Sequence, residues 1–498
     1  MSTSSRIRAG LGAVPLVAAL AFGGVTADAA TSPHASSSRH VASDLTASST
    51  PSPTFGWVPG VALGQRVNAL RDGQAGLTSV ACASPGDCTA VGQTESKPFS
   101  YAQAPTGQAL VATETAGVWD AGARVAVSLN RGDDAKLTSV ACTSPGNCVA
   151  VGQFENGAKD TRALVVTQAH GRWNGGVEVA RTLSTGSSAG LGSVSCSSAG
   201  NCAAVGVVSP AGYSDGGVAL VVTETAGIWN AGIELPLGLS ALDSVSCPAN
   251  GQCTAVGWES TTLGGIRPIA TISSDDVWGG PVVIGASLTP SKDESLLASV
   301  SCGAAGDCTA VGWADQYSST SALHSQALVA SEVSGVWRPA IEVARGVNAG
   351  RNAELNSVSC TSPVSCTAVG YFVDRLGRYH FLGVTESGRV WSAGSTIVEG
   401  PESARSGASM ISVSCVAPRD CMAVGSELIG DYLEMVGTRL SGARWIQTTI
   451  VAHRLAQADG LESVIVPTAI ACSPGLECAA VGRFADVTKF QGMVVDHR

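Results

Sequence analysis

Leu191-Gly192-Ser193-Val194-Ser195-Cys196-Ser197-Ser198-Ala199-Gly200-Asn201-Cys202-Ala203-Ala204-Val205-Gly206 decides the fold. Two short runs rich in Val, Ala and Ser flank a turn made of Ser, Ala, Gly and Asn, which reads as a β-hairpin. The two cysteines close the turn from either side. The same arrangement recurs along the chain as Cys82 with Cys88, Cys142 with Cys148, Cys196 with Cys202, Cys247 with Cys253, Cys302 with Cys308, Cys360 with Cys366, Cys415 with Cys421 and Cys472 with Cys478. Successive first cysteines lie 60, 54, 51, 55, 58, 55 and 57 residues apart, and no cysteine is left over. A motif at a fixed period of this length marks a repeat architecture.

The rest of the third unit completes one antiparallel sheet. After a polar loop over 207–217, Ala219-Leu220-Val221-Val222-Thr223 is a third strand, Thr225-Ala226-Gly227 turns the chain, and Ile228-Trp229 opens a fourth. Opposite residues in a hairpin bring their Cβ atoms close to the separation a disulfide needs. Bonds within each unit are therefore expected, with pairing between units as the alternative. Closing so short a loop contributes about 2–2.5 kcal/mol on a chain-entropy view. Zinc fits poorly, because structural sites place two to four residues between paired cysteines and these pairs have five.

Eight four-stranded sheets in series predict an all-β fold, an eight-bladed β-propeller. Fourth-strand tryptophans follow seven of the cysteine pairs, at Trp119, Trp173, Trp229, Trp278, Trp337, Trp391 and Trp445. The eighth unit ends without one, and Phe55-Gly56-Trp57 supplies it ahead of the first pair. The N-terminal strand is thus expected to close the last blade, which removes an open sheet edge. An open solenoid is the rival and gives no reason for this permuted order.

The turn before each tryptophan, Thr113-x-Thr115-x-Gly117-x-Trp119 and Thr223-x-Thr225-x-Gly227-x-Trp229, resembles the Asp-box (BNR-type) turn of sialidase-like propellers. The fourth unit keeps Ser273 and Asp275 before Trp278 but lacks the glycine, and the spacing is one residue shorter than in that family. The chain also resembles secreted actinomycete repeat proteins with Ser-Val-Ser-Cys and Cys-x-Ala-Val-Gly signatures. The resemblance implies a propeller. It does not carry over the sialidase arginine cluster, tyrosine–glutamate pair or acid, because fold does not fix function.

Residues 1–29 read as a secretory signal, with Arg6 and Arg8 before an apolar stretch from Leu11 to Val25 and Ala27-Asp28-Ala29 as the cleavage pattern. Residues 30–53 are mostly Ser, Thr, Ala and Pro and read as a linker; the propeller spans 54–498. Export accounts for the even, regular cysteines. No later apolar run is long enough to span a bilayer. The formal charge is -10, and cleavage after residue 29 leaves -11. An acidic chain disfavours nucleic acid as a partner. A monomer is expected.

Units differ most in the loops between second and third strands, the usual place for binding on a regular scaffold. The residue after each Val-Gly is Gln93, Gln153, Val207, Trp258, Trp313, Tyr371, Ser426 or Arg483. Three consecutive units place Trp258, Trp313 and Tyr371 there, followed by Glu259, Asp315, Gln316, Tyr317, Asp374, Arg375, Tyr379 and His380. Aromatic faces beside carboxylates suit sugar rings, whereas the structural reading has these rings filling gaps between blades. The expected ligand is an extracellular polysaccharide or protein surface, bound without catalysis. The alternatives are a glycoside hydrolase or lyase using Glu259, Asp315 and Asp374, and an envelope scaffold. Neither a cofactor nor a metal is expected, since the seven histidines show no ligand spacing.

Overall fold

The computed structural model describes residues 56–58, 60–63, 74–95, 106–184, 188–209, 217–285, 294–317, 323–349, 352–398, 407–429, 432–452, 464–486 and 489–498. The expected signal peptide and linker lie outside the described residues. Eight antiparallel sheets follow one another, seven of them with their strands in sequential order, and each is one blade of the ring. In blade 3 the strands are Ser188–Ser198, Asn201–Ser209, Val218–Thr225 and Ile228–Trp229. A further short strand, Ile233–Glu234, pairs with the third. The fourth strand is therefore broken by a bulge. Asn230 makes the break, its side-chain oxygen accepting from the Gly232 N–H at 3.0 Å, as Asp120 and Asn174 do for Gly122 and Gly176 in blades 1 and 2.

The first strands stand nearest the axis, each beside the next, and the eighth meets the first. The last sheet takes its outer strand from the other end of the chain. Val61–Leu63 pairs antiparallel with Lys489–His497, in register Val61↔Val494 and Leu63↔Gly492. Trp57 bridges to His497, and the Gly56 N–H donates to the Arg498 carbonyl at 2.8 Å. At the same joint Trp119 of blade 1 donates its indole N–H to Asp496 at 3.1 Å, and the Arg498 guanidinium reaches both Glu114 and Asp496 at 3.3 Å.

All eight cysteine pairs are disulfides within a blade. Their Cα atoms are 3.9–4.1 Å apart, as the close approach of directly opposed strand residues demands. The links across each turn are as expected, and the second member of each pair also belongs to the core. Cys88, Cys148, Cys202, Cys253, Cys308, Cys366, Cys421 and Cys478 are all buried, with Cys421 completely so. Each sits in a different inter-blade wedge. The cause is strand alternation: the second cysteine opens the second strand on the face that packs against the neighbouring blade. These sulfurs therefore serve as small apolar packing groups as well as staples, and no ligand reaches them.

The Val-Gly that follows each pair has its own cause. A β-bulge beside Leu77 pushes the first strand toward the second, so a Cβ on Gly92 would lie 2.0 Å from the Gly76 carbonyl oxygen. The equivalent glycines in the other seven blades face the same obstacle. Each cysteine turn is then latched to the tryptophan turn. Gly117 N–H donates to Gly86 C=O at 2.8 Å, and Gly171, Gly227 and Gly335 repeat this with Gly146, Gly200 and Gly306. Cysteine turns and tryptophan turns thus share one face of the ring.

The core is eight wedges between blades, one per junction. Small residues such as Ala90, Ala204, Ala310 and Ala423 are fully buried where the wedge narrows. The Ser-x-Ser of the first strand has a separate task. First strands are sheet edges, and their outward N–H groups need acceptors. Ser79 accepts from the Val140 N–H of the next blade at 3.3 Å, and Ser139, Ser193, Ser244, Ser299, Ser357 and Ser412 continue the ladder to Ile470. A second rung runs from Ser195 to Cys247 at 3.0 Å and on through Ser246, Ser301, Ser359 and Ser414. The junction from blade 8 to blade 1 has Ala469 and Ala471 at these places, and it is the junction that the two chain ends fasten.

One level along, Thr78, Thr138 and Thr468 each donate a hydroxyl to the next blade's carbonyl, at Leu137, Leu191 and Leu77, over 2.7–2.8 Å. Blade 4 has Asp243 at this level, half-buried on its first strand. The flanking first strands hold Gly192 and Ala298 there and contain no group that titrates. Burial alone pushes Asp243 up to about 7. Burial likewise raises Glu114 to about 7, with Asp496 adding to it, and lifts Glu224, Glu332 and Glu386 in the buried third-strand layer. These carboxyls bind protons more tightly folded than unfolded. For Asp243 and Glu114 that stabilisation is complete below pH about 4 and is lost as pH rises through about 7, and the other three act in the same direction. Hydrogen bonds lower Asp374 and Asp160, which act oppositely but only in the acid range. The thermal midpoint is therefore expected to peak near pH ~5 and fall toward pH ~8. Asp243→Thr, which supplies the hydroxyl donor toward Leu297, should flatten that fall. A midpoint that rises from pH ~5 to ~8 contradicts this assignment.

Candidate functional site

The face opposite the cysteine turns carries the loops between second and third strands. Alternation along the strand decides where each side chain points. Val256 packs at the junction with blade 5, Val311 at that with blade 6 and Val369 at that with blade 7. Trp258, Trp313 and Tyr371, two residues on, therefore lean toward the following blade.

Their settings differ. Trp258 is only 7 % exposed, so its ring is enclosed. Glu259 is buried on the other side of that strand, and the Arg267 Nε donates to it at 2.7 Å. Trp313 and Tyr371 are half-buried. Asp315 lies two residues beyond Trp313, buried, and accepts a hydrogen bond from the Ser325 hydroxyl. Tyr371 sits opposite Glu354 in the register of blade 6 and is hydrogen-bonded to it. Tyr379 lies alongside, its ring centroid 5.5 Å from that of Tyr371. Burial first, then Glu354, Tyr379 and Asp315, push the Tyr371 phenol above its ordinary range, so it stays protonated and serves as a donor. Asp315, Glu354, Tyr371 and Tyr379 therefore form one constellation at blades 5 and 6.

Asp374 belongs to the adjoining hairpin turn. Arg378 Nε donates to it at 2.7 Å, His380 Nε2 lies 3.3 Å away, and the Leu376 and Arg378 N–H groups complete its shell. His380 stacks on Phe372 at 5.1 Å. Arg375 is exposed at the tip of the turn. Tyr317 and Gln316 end the second strand of blade 5, where Tyr317 pairs with Leu323; their side chains lie outside the described residues.

Sequence reasoning passed over Glu354 and Arg378. The signal for Glu354 was present: counting back from the Cys360–Cys366 pair with one bulge sets it opposite Tyr371. A second polar cluster, across blades 8, 1 and 2, was also missed. Gln93 donates to Glu95. Burial raises Glu95, while Gln93, Arg483 and Lys136 pull it down. Arg483 lies over the Phe490 ring at 4.7 Å. Among the described residues no His, Cys, Asp and Glu cluster could hold a metal ion, and no helix is long and apolar enough to cross a membrane.

The fold and this constellation define a disulfide-stapled, ring-closed β-propeller with a polar and aromatic mouth. No protein-family model and no curated protein matches the sequence. Among solved structures the chain is similar to the BP39L lectin from Burkholderia pseudomallei, at 15 % identity and TM-score 0.43, over 77 % of this chain and 100 % of that one. It is similar to a polysaccharide lyase, an ulvan lyase of family PL25, at 9 % identity and TM-score 0.42, over 70 % and 90 %. It is also similar to a sialidase from Trypanosoma rangeli, at 10 % identity and TM-score 0.32, over 60 % and 53 %. The propeller assignment itself rests on the strand pairing described above.

Proposed function

We propose that this is a secreted propeller that binds an extracellular ligand, a polysaccharide or a protein surface bearing glycans, at the mouth formed by blades 5 and 6. The observation that carries the reading is the constellation of Trp313, Asp315, Glu354, Tyr371 and Tyr379. Half-buried rings offer carbon surface to the C–H face of a sugar, and the fixed acids and phenols meet its hydroxyl edge. The eight disulfides fit an oxidising extracellular setting. The raised Tyr371 supports binding over chemistry, since a protonated phenol is a good donor and a poor nucleophile. Glycoside cleavage is the second reading, favoured by the Tyr371–Glu354 pair with Asp315 close by.

Retention on a panel of insoluble and soluble polysaccharides, with sugar release read in the same tubes, decides between them. The wild type is expected to be retained without release. A Trp313→Ala/Tyr371→Ala variant is expected to bind about tenfold or more weakly while still folded. Release of reducing sugar that disappears in Tyr371→Phe replaces binding with catalysis. Neither retention nor release leaves a scaffold.

A further inference from the structure

We infer that the outer groove between blades 5 and 6, on the side of the ring that carries the cysteine turns, is a second binding site for one uncharged sugar ring. It stands on its own geometry and does not depend on the mouth. The groove encloses about 410 Å³, within the range of small-molecule sites. Ile341, Glu342 and Arg345 line one wall, and Arg389, Val390 and Trp391 the other. The Trp391 indole nitrogen is buried, so the ring meets the groove with carbon atoms. Val390 and Ile341, 70 % and 48 % exposed, extend this apolar surface.

The polar groups are arranged in balanced pairs. Arg345 donates its Nε to Glu342 at 2.6 Å, and Arg389 donates an Nη to Asp307 at 2.9 Å. The two arginine side chains are 72 % and 42 % exposed, and each guanidinium keeps further N–H donors. Two cations against two carboxylates leave the groove formally neutral. A fixed charge on a ligand gains little there. Donors and acceptors beside a carbon surface instead match the hydroxyl edge and C–H face of a sugar ring.

The repeats point to this junction independently. The position of Arg345 holds Val127, Arg181 and Leu237 in blades 1 to 3. The position of Arg389 holds Gly117, Gly171, Gly227, Asp276 and Gly335 in blades 1 to 5. Of these junctions, that between blades 5 and 6 alone carries both arginines. Arg389 moreover adopts φ +66°, where blades 1, 2, 3 and 5 use glycine. A bulky residue held in the left-handed region is strained, and such strain gathers at functional sites.

The test titrates the oxidised protein with methyl glycosides of glucose, galactose and mannose, and with glucuronate and galacturonate. Heat and tryptophan fluorescence are read at low and high salt. At least one neutral glycoside is expected to saturate, with affinity indifferent to salt. Arg389→Gly and Arg345→Gln should each weaken it about tenfold. Arg389→Gly should keep or raise the thermal midpoint, because glycine suits that φ, so lost binding cannot be ascribed to lost folding. Saturation by no glycoside, or an affinity in both variants unchanged from that of the parent protein, overturns the site. Tighter, salt-sensitive binding of the uronates overturns its uncharged ligand. Polysaccharide retention tests the mouth and this titration tests the groove, so the two readings fail separately.

Discussion

Deleting residues 54–63 from a chain that begins at Thr54 is expected to lower the thermal midpoint by about 5 °C or more and to bring association through the new edge. The segment does three things at once. Val61–Leu63 is the outer strand of blade 8 and covers the row of backbone groups on Lys489–His497. Leu63 is buried in the wedge between blades 8 and 1, and Trp57 packs against the wedge between blades 7 and 8. Trp57 also meets His497 edge-on at 5.3 Å and occupies the space beside Gly437 where a Cβ would come within 2.6 Å of its ring. Losing a buried leucine, much of a tryptophan and this strand pairing costs on the order of 5 kcal/mol. In a chain this long each kcal/mol shifts the midpoint by only about a degree. The blade 8 to blade 1 junction lacks both rungs of the serine ladder, where alanine stands instead, and keeps the Thr468 hydroxyl bond to Leu77, the Trp119–Asp496 bond and its apolar wedge. Calorimetry and light scattering on the shortened chain check this. A midpoint within about a degree of the parent contradicts closure by the chain ends.

Reduction of the disulfides should do more damage. Each closes a seven-residue hairpin and stabilises the fold by about 2 kcal/mol through the unfolded chain. Eight such contributions, even if only partly additive, rival the whole stability of an ordinary domain, about 5–15 kcal/mol. The protein is expected to unfold in reductant at temperatures where the oxidised form keeps its circular dichroism. A single pair, Cys302→Ser with Cys308→Ser, should cost at least about 2 kcal/mol, because Cys308 also packs in its wedge. If thiol counting finds all sixteen cysteines reduced while the midpoint is unchanged, the wedges alone hold the propeller and the disulfides add nothing to it.

Much of this architecture was legible because each blade writes its own register. The cysteines are directly opposed, so their spacing locates the first hairpin, and Trp57 standing ahead of Cys82 foretells the closure. The unequal burial of the two cysteines in seven of the eight pairs was not legible, because it depends on which face of the second strand the next blade covers. Nor was the broken fourth strand, since Trp229-Asn230-Ala231-Gly232 reads as a plain turn until Asn230 is seen holding the Gly232 N–H. The purpose of Ser-Val-Ser-Cys stayed hidden as well, because the serines act on the next blade more than fifty residues away. At the mouth, the aromatic positions stood out by comparison between repeats, but burial did not. Trp258 and Trp313 follow identical Ala-Val-Gly runs, yet the former is enclosed and the latter half-open. That difference comes from the neighbouring blade, which a local pattern does not carry.

The most direct test of a binding mouth at blades 5 and 6 is amide hydrogen exchange with and without soluble oligosaccharides cut from whichever polysaccharide retains the protein. Slowed exchange confined to 313–317, 352–356 and 371–380 is the predicted result. Protection confined to the cluster around Gln93, Lys136 and Arg483, or none at saturating oligosaccharide, would contradict it.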